Sequence, residues 1–425
     1  MGEEIGIEDL GDLAIQVILS KLEPNGTARI GCVSKKFRDW ASDDYYWSVH
    51  ASRDLHMASP VDPFDNPVPS FKVAYGLWRE AFSMYSWPLL KRVKMCWDSL
   101  KSWLDKNFPE VLLTLRKGAS EEELNEVEKS LKLKLPLSTR LIYRMHDGQE
   151  ISDKLLGLIG GYSVYNHLVN VGLLPLRHAV TASKHVIQAS KYIVIAASIL
   201  ESRKFFYLNC ADNQLYVGTV SLEDGEMMSC VPDSVLKSSG NELCDGVLLW
   251  LEEHCRRLNS GMLAVREECN QKSISQFPEK SPLCSTVVTN GVQVRASAVL
   301  LPEQTDLRIP DFLFAYSIRM SLLPEGCTVH GRTFSSCQLY WRHWIIRENK
   351  VVKNEVSAEA VIGKYPLLLP GEKEFVYESC TSQQQTSGSV EGSFTFVPGR
   401  LTHPEGDAFE VEVGRFPVEM PDYIF

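Results

Sequence analysis

The spacing of apolar residues changes along the chain, and this change constrains the fold more than any other feature. Before about residue 260 helical spacing of three to four positions dominates, with a few strand-like runs. Beyond about residue 286 apolar and polar residues alternate, which is typical of strands with one buried face. A chain of 425 residues is also too long for one ordinary core. We therefore expect a multidomain α+β protein that ends in an antiparallel β-sandwich.

The first 57 residues have the pattern of three short helices. One helical stripe, at spacings i, i+3, i+4 and i+7, consists of Ile15, Ile18, Leu19 and Leu22. The sequence Pro24-Asn25-Gly26 predicts a turn after it, and Thr27 is a candidate N-cap for the second helix. Three short helices bury too little surface to be strongly stable alone. Their apolar face is therefore a candidate partner surface, although a helical hairpin packed on the next domain is the alternative.

Two segments of this unit carry a family resemblance. Residues 7–22 read IEDLGDLAIQVILSKL, and residues 33–47 include VSKKFRDWA and DYYW. They resemble the two halves of an F-box, although Gly11 stands where the family usually has proline. The resemblance implies that helices dock into an apolar groove of a Skp-type adaptor and thereby reach a cullin scaffold. By the same resemblance, the adaptor-binding residues are expected to be Leu10, Leu13, Ile15, Ile18, Leu19, Leu22, Val33, Phe37 and Trp47.

The middle of the chain begins with a helical connector, residues 58–117, whose first part is rich in proline. A capping box at Ser120 and Glu123 then predicts the start of a helix. The motifs KLP at 134–136 and HDG at 146–148 resemble the Smi/Knr group of the SUKH superfamily. This resemblance implies an α+β protein-binding module over residues 118–262. An undistinguished α+β spacer domain is the alternative.

Residues 263–285 are polar and lack periodicity, so they are interpreted as an interdomain linker. The alternating segments that follow include FAYSI at 314–318, WRHWII at 341–346 and IGKYP at 362–366. They resemble the ApaG domain, which implies a β-sandwich over residues 286–425. The last residues of the chain, Tyr423 to Phe425, are interpreted as either packed or exposed as a short motif.

The densest chemical cluster of the chain lies in the ApaG-like part, at residues 341–344. Strict alternation places Arg342 and Trp344 on one face of their strand, where Trp and Arg are typical binding anchors. We interpret this face as a substrate-recognition surface, and packing in the core is the alternative. The full set of candidates is Arg342, Trp344, Gly363, Lys364 and Tyr365.

Bacterial ApaG proteins carry a G-x-G-x-x-G loop in this part of the domain. Here Ala358 and Ala360 replace its first two glycines, and Glu359 stands between them. Side chains crowd the approach to the backbone, and a carboxylate repels phosphate, so the pattern argues against a phosphate site.

Net charge, apolar runs and cysteine spacing limit the kinds of partner and the compartment that we expect for this chain. The net charge of −10 argues against duplex DNA, because phosphate binding needs a basic face. The longest apolar run, at residues 192–200, is too short to cross a bilayer, and the start of the chain lacks the pattern of a signal peptide. Eleven cysteines without a C-x-x-C pair indicate reduced thiols and no zinc site. We expect a protein of the cytoplasm and/or nucleus that binds neither nucleic acid nor membrane.

Together, the resemblances to the F-box, the SUKH superfamily and the ApaG domain imply the substrate-recognition subunit of an SCF-type cullin ubiquitin ligase. It would bind a Skp adaptor through the F-box and present an unidentified target protein through the SUKH-like and ApaG domains. No catalytic residue, metal ligand or cofactor is expected, because no P-loop, H-E-x-x-H or G-x-S-x-G motif occurs. Two alternatives stay open: an ApaG-centred protein that binds pyrophosphate or nucleotide, and a scaffold that binds the adaptor outside the ligase.

Overall fold

The computed structural model describes residues 12–151, 156–164, 167–186, 191–198, 204–219, 227–238, 244–268, 271–305 and 311–425. Its helices are α1 (Asp12–Lys21), α2 (Pro24–Ile30), α3 (Lys35–Ala41), α4 (Asp44–Leu55), α5 (Phe71–Ala81), α6 (Trp87–Asn107), α7 (Pro109–Leu112), α8 (Glu121–Leu131), α9 (Leu137–Met145), α10 (Leu176–Val186), α11 (Asp233–Ser238) and α12 (Gly246–Asn259). A short 3-10 turn spans Pro302–Gln304.

The strands fall into a central group and a C-terminal group. The central strands are β1 (Gly160–Val164), β2 (His167–Leu173), β3 (Tyr192–Ser198), β4 (Phe205–Asn209), β5 (Leu215–Gly218), β6 (Met228–Ser229), β7 (Ala264–Glu268) and β8 (Gln271–Ser275). The C-terminal strands are β9 (Cys284–Thr289), β10 (Val292–Leu300), β11 (Phe312–Leu322), β12 (Cys327–Val329), β13 (Arg332–Phe334), β14 (Cys337–Glu348), β15 (Val351–Glu359), β16 (Leu367–Leu368), β17 (Phe375–Gln383), β18 (Gly388–Arg400), β19 (His403–Pro404) and β20 (Phe409–Pro417).

The N-terminal unit contains four helices, α1 to α4, within its described part, because the single helix predicted after Thr27 is divided into α2 and α3. The turn prediction failed because Pro24 stands at the first helical position, where its fixed φ favours helix and its missing N–H is not needed. Thr27 is not an N-cap but is fully buried, with its Oγ1 3.0 Å from Nε2 of His50. The unit has a small core of its own, which consists of Ile15, Leu19, Phe37 and Tyr46.

Helix α4 joins this unit firmly to the helical connector. The carboxylate of Asp44 accepts hydrogen bonds from the backbone N–H groups of Phe71 and Lys72, at 3.1 and 3.0 Å. These bonds satisfy free N–H groups at the start of α5. Trp47 lies in the main core of the molecule, with its ring centroid 5.6 Å from that of Tyr75 on α5. The F-box unit is therefore held in a defined orientation.

The central sheet has eight described strands, in the order β6-β5-β4-β3-β2-β1-β8-β7. The predicted linker at 263–285 is wrong, because its first half forms β7 and β8 at one edge of this sheet. Polar composition was misleading here, since Ser273, Ser275 and Gln276 are buried. Gln276 donates from Nε2 to the carbonyl oxygen of Ile159 at 2.5 Å, so its polar group is satisfied inside the protein.

The C-terminal strands form the predicted sandwich. One sheet has the order β17-β11-β10-β9, and the other has the order β15-β14-β18-β19, with β16 on β14 and β20 on β18. Alternate residues point inward, among them the buried aromatic residues Phe314, Phe394 and Phe396. The fold class is confirmed: helices at the N-terminus, a central α+β region and a C-terminal antiparallel β-sandwich.

The last residues of the chain pack against the central region. The ring of Phe425 stacks on that of Trp250 in α12, with centroids 5.0 Å apart. The indole Nε1 of Trp250 donates to the carbonyl oxygen of Ile424 at 2.9 Å. Nζ of Lys204, a residue that is 1% exposed, donates to the carbonyl oxygen of Phe425 at 2.7 Å. The packed alternative for this segment is therefore the one found, and it fastens the sandwich to the central region.

Candidate adaptor and partner surfaces

Helix α1 carries apolar residues on two sides, and only one of these sides is buried. Ile15 and Leu19 face the small core and are each 1% exposed. On the other side Leu13 and Val17 are 74% and 54% exposed, and Ile18 is 38% exposed. Leu13 and Val17 are neighbours, because residues four apart lie on the same helix face. A helix with apolar residues on both sides is usually buried on both, so the bare side indicates a partner surface.

A second exposed apolar residue lies between α2 and α3. Val33 is 69% exposed and directly precedes Ser34, the N-cap of α3. Oγ of Ser34 accepts a hydrogen bond from the backbone N–H of Phe37 at 3.3 Å, which fixes the start of the helix. The exposed valine is therefore held in place at a structured helix entry.

The structure divides the predicted adaptor-binding residues into two groups. The exposed ones are Leu13, Ile18 and Val33. The buried ones, whose side chains are covered by the protein itself in this structure, are Ile15, Leu19, Phe37 and Trp47. Leu22 is half-buried against the small core, and Leu10 lies outside the described residues. Sequence reasoning missed Val17, although its spacing of four from Leu13 was a usable signal.

Asp54 of α4 links the N-terminal unit to the connector, and Arg53 holds Asp54 in place from within the unit. Arg53 on α4 pairs with Glu23 at 2.8 Å and with Asp54 at 2.7 Å. Asp54 also accepts a hydrogen bond from the hydroxyl of Tyr75 at 2.8 Å. Burial alone would raise the pKa of Asp54, but the bonds from Arg53 and Tyr75 bring it below its usual value. Burial and the bond to Asp54 raise the pKa of Tyr75, which therefore stays a neutral donor.

In the sandwich, the prediction that Trp344 lies on an exposed face is wrong. Its side chain is 4% exposed, and its ring packs 5.4 Å from that of Phe394. Alternation holds within residues 341–344, but the choice of the outward face is wrong, because the register of β14 against β18 shifts between Leu339 and Trp341 and makes Tyr340 an extra residue. Such a bulge exchanges the inward and outward positions beyond it.

Arg342 and Tyr365 meet at the loop that follows β15. Nη1 of Arg342 donates to the carbonyl oxygen of Ala360 at 2.5 Å, and Oη of Tyr365 donates to Oε2 of Glu359 at 2.9 Å. Arg342 therefore positions this loop. Its carbonyl oxygens, rather than free N–H groups, face the guanidinium.

The same loop holds three residues in the left-handed region: Ala360 at φ +60°, Ile362 at φ +49° and Gly363 at φ +68°. Ala360 replaces a glycine of the bacterial motif, yet it keeps the left-handed backbone. Its side chain is buried. Gly363 and Lys364 are exposed, and the backbone of Lys364 bonds that of Val361 at 2.9 and 3.0 Å. Of the five predicted recognition residues, the structure brings together all except Trp344.

Two features are absent from the described part of the chain. No group of three or more His, Cys, Asp or Glu residues is placed there to hold a metal ion. Nor is any described helix long and apolar enough to cross a membrane.

The four-helix unit with a bare apolar side and the C-terminal sandwich define a class: an F-box protein with an ApaG domain. A family model for the ApaG domain matches residues 302–398. The F-box protein SKIP16 of Arabidopsis thaliana is 54% identical over 439 aligned positions, which cover 99% of this chain and 100% of that protein. The chain therefore belongs to the family of F-box proteins with a C-terminal ApaG domain, as the sequence predicted.

More distant relatives match parts of the chain. The F-box only protein 3 of Homo sapiens is 27% identical, over 78% of this chain and 66% of that protein. Protein ApaG of Nitrosomonas europaea is 33% identical, over 31% of this chain and 91% of its own length. A crystal structure of a Bordetella pertussis ApaA protein covers 31% of this chain, at 29% identity and a TM-score of 0.26. The resemblance of residues 118–262 to the SUKH superfamily stays a prediction.

Proposed function

We propose that this F-box protein is the substrate-recognition subunit of an SCF-type cullin ubiquitin ligase. The observation that carries the proposal is the bare apolar side of α1, at Leu13 and Val17, with Val33 as a neighbouring exposed residue of the same small unit. Fully burying one such side chain contributes about 1.5 to 3 kcal/mol, so a few of them supply a substantial part of an interface. An apolar groove on a Skp-type adaptor fits this surface as a helix-in-groove partner.

The firm joint between the F-box unit and the connector supports the same function. A substrate receptor works by holding its target near the charged ubiquitin carrier, which raises the effective concentration of the target. The bonds of Asp44 to the start of α5 and of Asp54 to Tyr75 fix the orientation of the F-box unit on the connector. In this proposal the chain itself transfers nothing, and it needs neither cofactor nor metal.

We propose the cytoplasm and/or nucleus as its compartment. The support is that no disulfide joins any of the ten described cysteines, not even Cys96 and Cys255, whose Sγ atoms are 3.7 Å apart. Buried unpaired thiols are typical of reducing compartments.

Reconstitution from purified components tests the ligase proposal. The tagged full-length chain is mixed with a Skp-type adaptor and a cullin, and we expect it to recover both. The double variant Leu13→Asp with Val17→Asp should lose both while keeping its fold, because these side chains already face water. A matched control, Val351→Asp with Val352→Asp, places the same charges on two exposed valines of the sandwich and should retain both.

Two results would overturn the proposal in different ways. If the wild-type chain recovers no adaptor, or if the α1 variant binds as well as the wild type, the F-box surface is not the docking site. If the adaptor is recovered without cullin, the chain acts as a scaffold outside the ligase.

A further inference from the structure

Strand β15 forms a free edge of the sandwich. Within the described residues it pairs with β14 alone and ends the strand order of its sheet. Residues 351–355 are all exposed, as are Ser357 and Glu359. An edge strand presents unpaired N–H and C=O groups that fit another extended chain, and proteins usually cover or blunt such edges.

The direction of the backbone groups can be read from one bond. The N–H of Ala360 donates to the carbonyl oxygen of Tyr340 at 3.0 Å, so Ala360 faces the strand β14 side. Backbone groups alternate in direction along an antiparallel pair. The N–H and C=O groups of Glu355, Ser357 and Glu359 therefore point away from β14. In agreement, the N–H of Glu355 is met at 2.9 Å by Oδ1 of the Asn354 side chain and not by another strand.

A bulge limits this free edge at its other end. Val352 pairs with Arg347 and Asn354 pairs with Ile346, which leaves Lys353 as an extra residue. The extra residue interrupts the regular spacing of the outward groups. The uninterrupted edge is therefore the segment from Glu355 to Glu359. The N–H of Glu355 is bonded to Asn354, and the carbonyl oxygen of Glu359 lies 3.4 Å from Nη1 of Arg342, so four outward backbone groups are left for an incoming strand.

The side chains along this segment specify the charge of that strand. Glu355 and Glu359 lie on the same face, about 13 Å apart at the usual rise of a strand. Each carboxylate is held by a neighbour, since His343 contacts Glu355 at 2.7 Å and Tyr365 contacts Glu359 at 2.9 Å. Oppositely charged pairs across neighbouring strands stabilise a sheet, so basic residues four positions apart would complement these two.

The same two carboxylates disfavour a second copy of this chain as the occupant. If two β15 strands paired antiparallel about Ser357, Glu355 of each would stand opposite Glu359 of the other. Like charges directly opposite each other destabilise a strand pair. Pairing of two β15 edges in this register is therefore disfavoured, whereas a basic strand of another protein fits the edge.

We propose that the Glu355–Glu359 edge is the client-recognition site of this subunit and binds an extended basic segment of a target protein as an added antiparallel strand. The client segment carries Lys or Arg at two positions separated by three residues. This inference rests on the proposed function, because it names what the receptor selects. Exposed Ile362, at the loop after the strand, extends the site with an apolar contact.

Selection from a phage-displayed library of random dodecapeptides, on the full-length chain, tests the proposal. We expect the enriched peptides to carry paired basic residues with that spacing, and to slow hydrogen exchange at the amides of Ser357 and Glu359. Ser357→Pro removes one outward N–H without touching the bonds to β14, so it should weaken binding at least tenfold. Ser357→Ala, which keeps the N–H, should bind as the wild type does.

A charge reversal gives a second, independent variant that does not alter the backbone. Glu355→Lys with Glu359→Lys should shift the enriched peptides from basic to acidic ones. The proposal is overturned if no peptide is enriched, if the enriched peptides protect another surface, or if Ser357→Pro, folded by circular dichroism, binds them unchanged. It is also overturned if the edge instead mediates a dimer that Ser357→Pro abolishes.

The test is separable from that of the ligase. Ser357→Pro should recover adaptor and cullin as well as the wild type does. For the wild-type chain, recovery of adaptor and cullin without any enriched peptide would reject only the client site, whereas enriched peptides without recovered cullin would reject only the ligase role.

Discussion

The F-box unit and the rest of the molecule differ in how completely they bury their apolar residues. In the F-box unit, α4 places Trp47 in the main core, but α1 buries only one side, against a small cluster around Leu19 and Phe37, and leaves Leu13 and Val17 in water. The central region and sandwich share one continuous core, and the end of the chain packs Phe425 against Trp250. The contrast teaches that the core of the central region and sandwich is closed by residues of the same chain. The F-box unit, in contrast, leaves an apolar side of α1 exposed, which a second protein can bury.

The largest expected effect is a loss of stability in the central region. Trp250→Ala removes a fully buried ring, its stacking on Phe425 and its bond to Ile424. Replacing a buried Trp by Ala costs about 4 kcal/mol, because a cavity remains. Urea unfolding followed by circular dichroism should show this loss, while adaptor binding at low urea should stay within twofold of wild type. A loss of adaptor binding in the folded variant would show that the two regions are not independent.

The second effect is a pH dependence of the same region. Burial lowers the pKa of His254 to about 4, below its ordinary 6.5, and its Nε2 lies 3.1 Å from the carbonyl oxygen of Leu158. The unfolded chain therefore takes up a proton before the folded one does. This contribution to stability is complete above pH 6.5 and is lost as the pH falls from 6.5 to 4, to a total of roughly 3 kcal/mol.

The variant His254→Gln isolates this effect, because glutamine is uncharged over the whole range. Its free energy of unfolding, subtracted from that of the wild type at each pH from 7.5 to 4, should show the wild type losing stability relative to the variant. A difference that is flat with pH would mean that His254 is not the group responsible.

The third effect concerns the small core. Leu19→Ala should cost about 2 kcal/mol, at the low end for a buried leucine, because a thin core collapses around a cavity more easily. Native-state hydrogen exchange should place the loss in α1 to α3, with the amides of α12 unchanged. If exchange accelerates equally in α12, the F-box unit is not a separate cooperative region.

The smallest effect on stability is expected at the bare surface. Leu13→Asp with Val17→Asp changes side chains that are already in water, so the free energy of unfolding should change by less than about 0.5 kcal/mol. The same substitutions at the buried positions, Leu19→Asp with Phe37→Asp, should unfold the unit. An equal fall in melting temperature for the two double variants would contradict the division into exposed and buried residues.

Periodicity predicted the elements well where local chemistry and tertiary packing agree. The stripe containing Ile15 and Leu19 gave α1, and the capping box at Ser120 and Glu123 is present with both of its hydrogen bonds. Alternation gave the strands of the sandwich and hence the fold class. These features depend on neighbours three or four residues away, or two along a strand, so the sequence alone contains them.

The predictions that failed depended on distant contacts. The linker prediction fails at β7 and β8 because a polar residue such as Ser273 finds its partner only in the folded sheet, where its hydroxyl lies 3.5 Å from Oδ1 of Asn170. Trp344 was assigned to the wrong face because a bulge at Tyr340 shifts the register of β14. Which side of α1 is bare depends on where α3 packs, and the free edge of β15 depends on the strand order of the whole sheet. None of these has a local signal.

Calorimetric titration of a purified Skp-type adaptor into the full-length chain tests the central claim most directly. The wild type should bind in the submicromolar range, and Leu13→Asp with Val17→Asp should weaken binding at least a hundredfold with an unchanged melting temperature. The control pair Val351→Asp with Val352→Asp should bind as the wild type does. Equal binding by the α1 variant, or no heat with the wild type, would contradict the claim that the bare side of the F-box unit is completed by the adaptor.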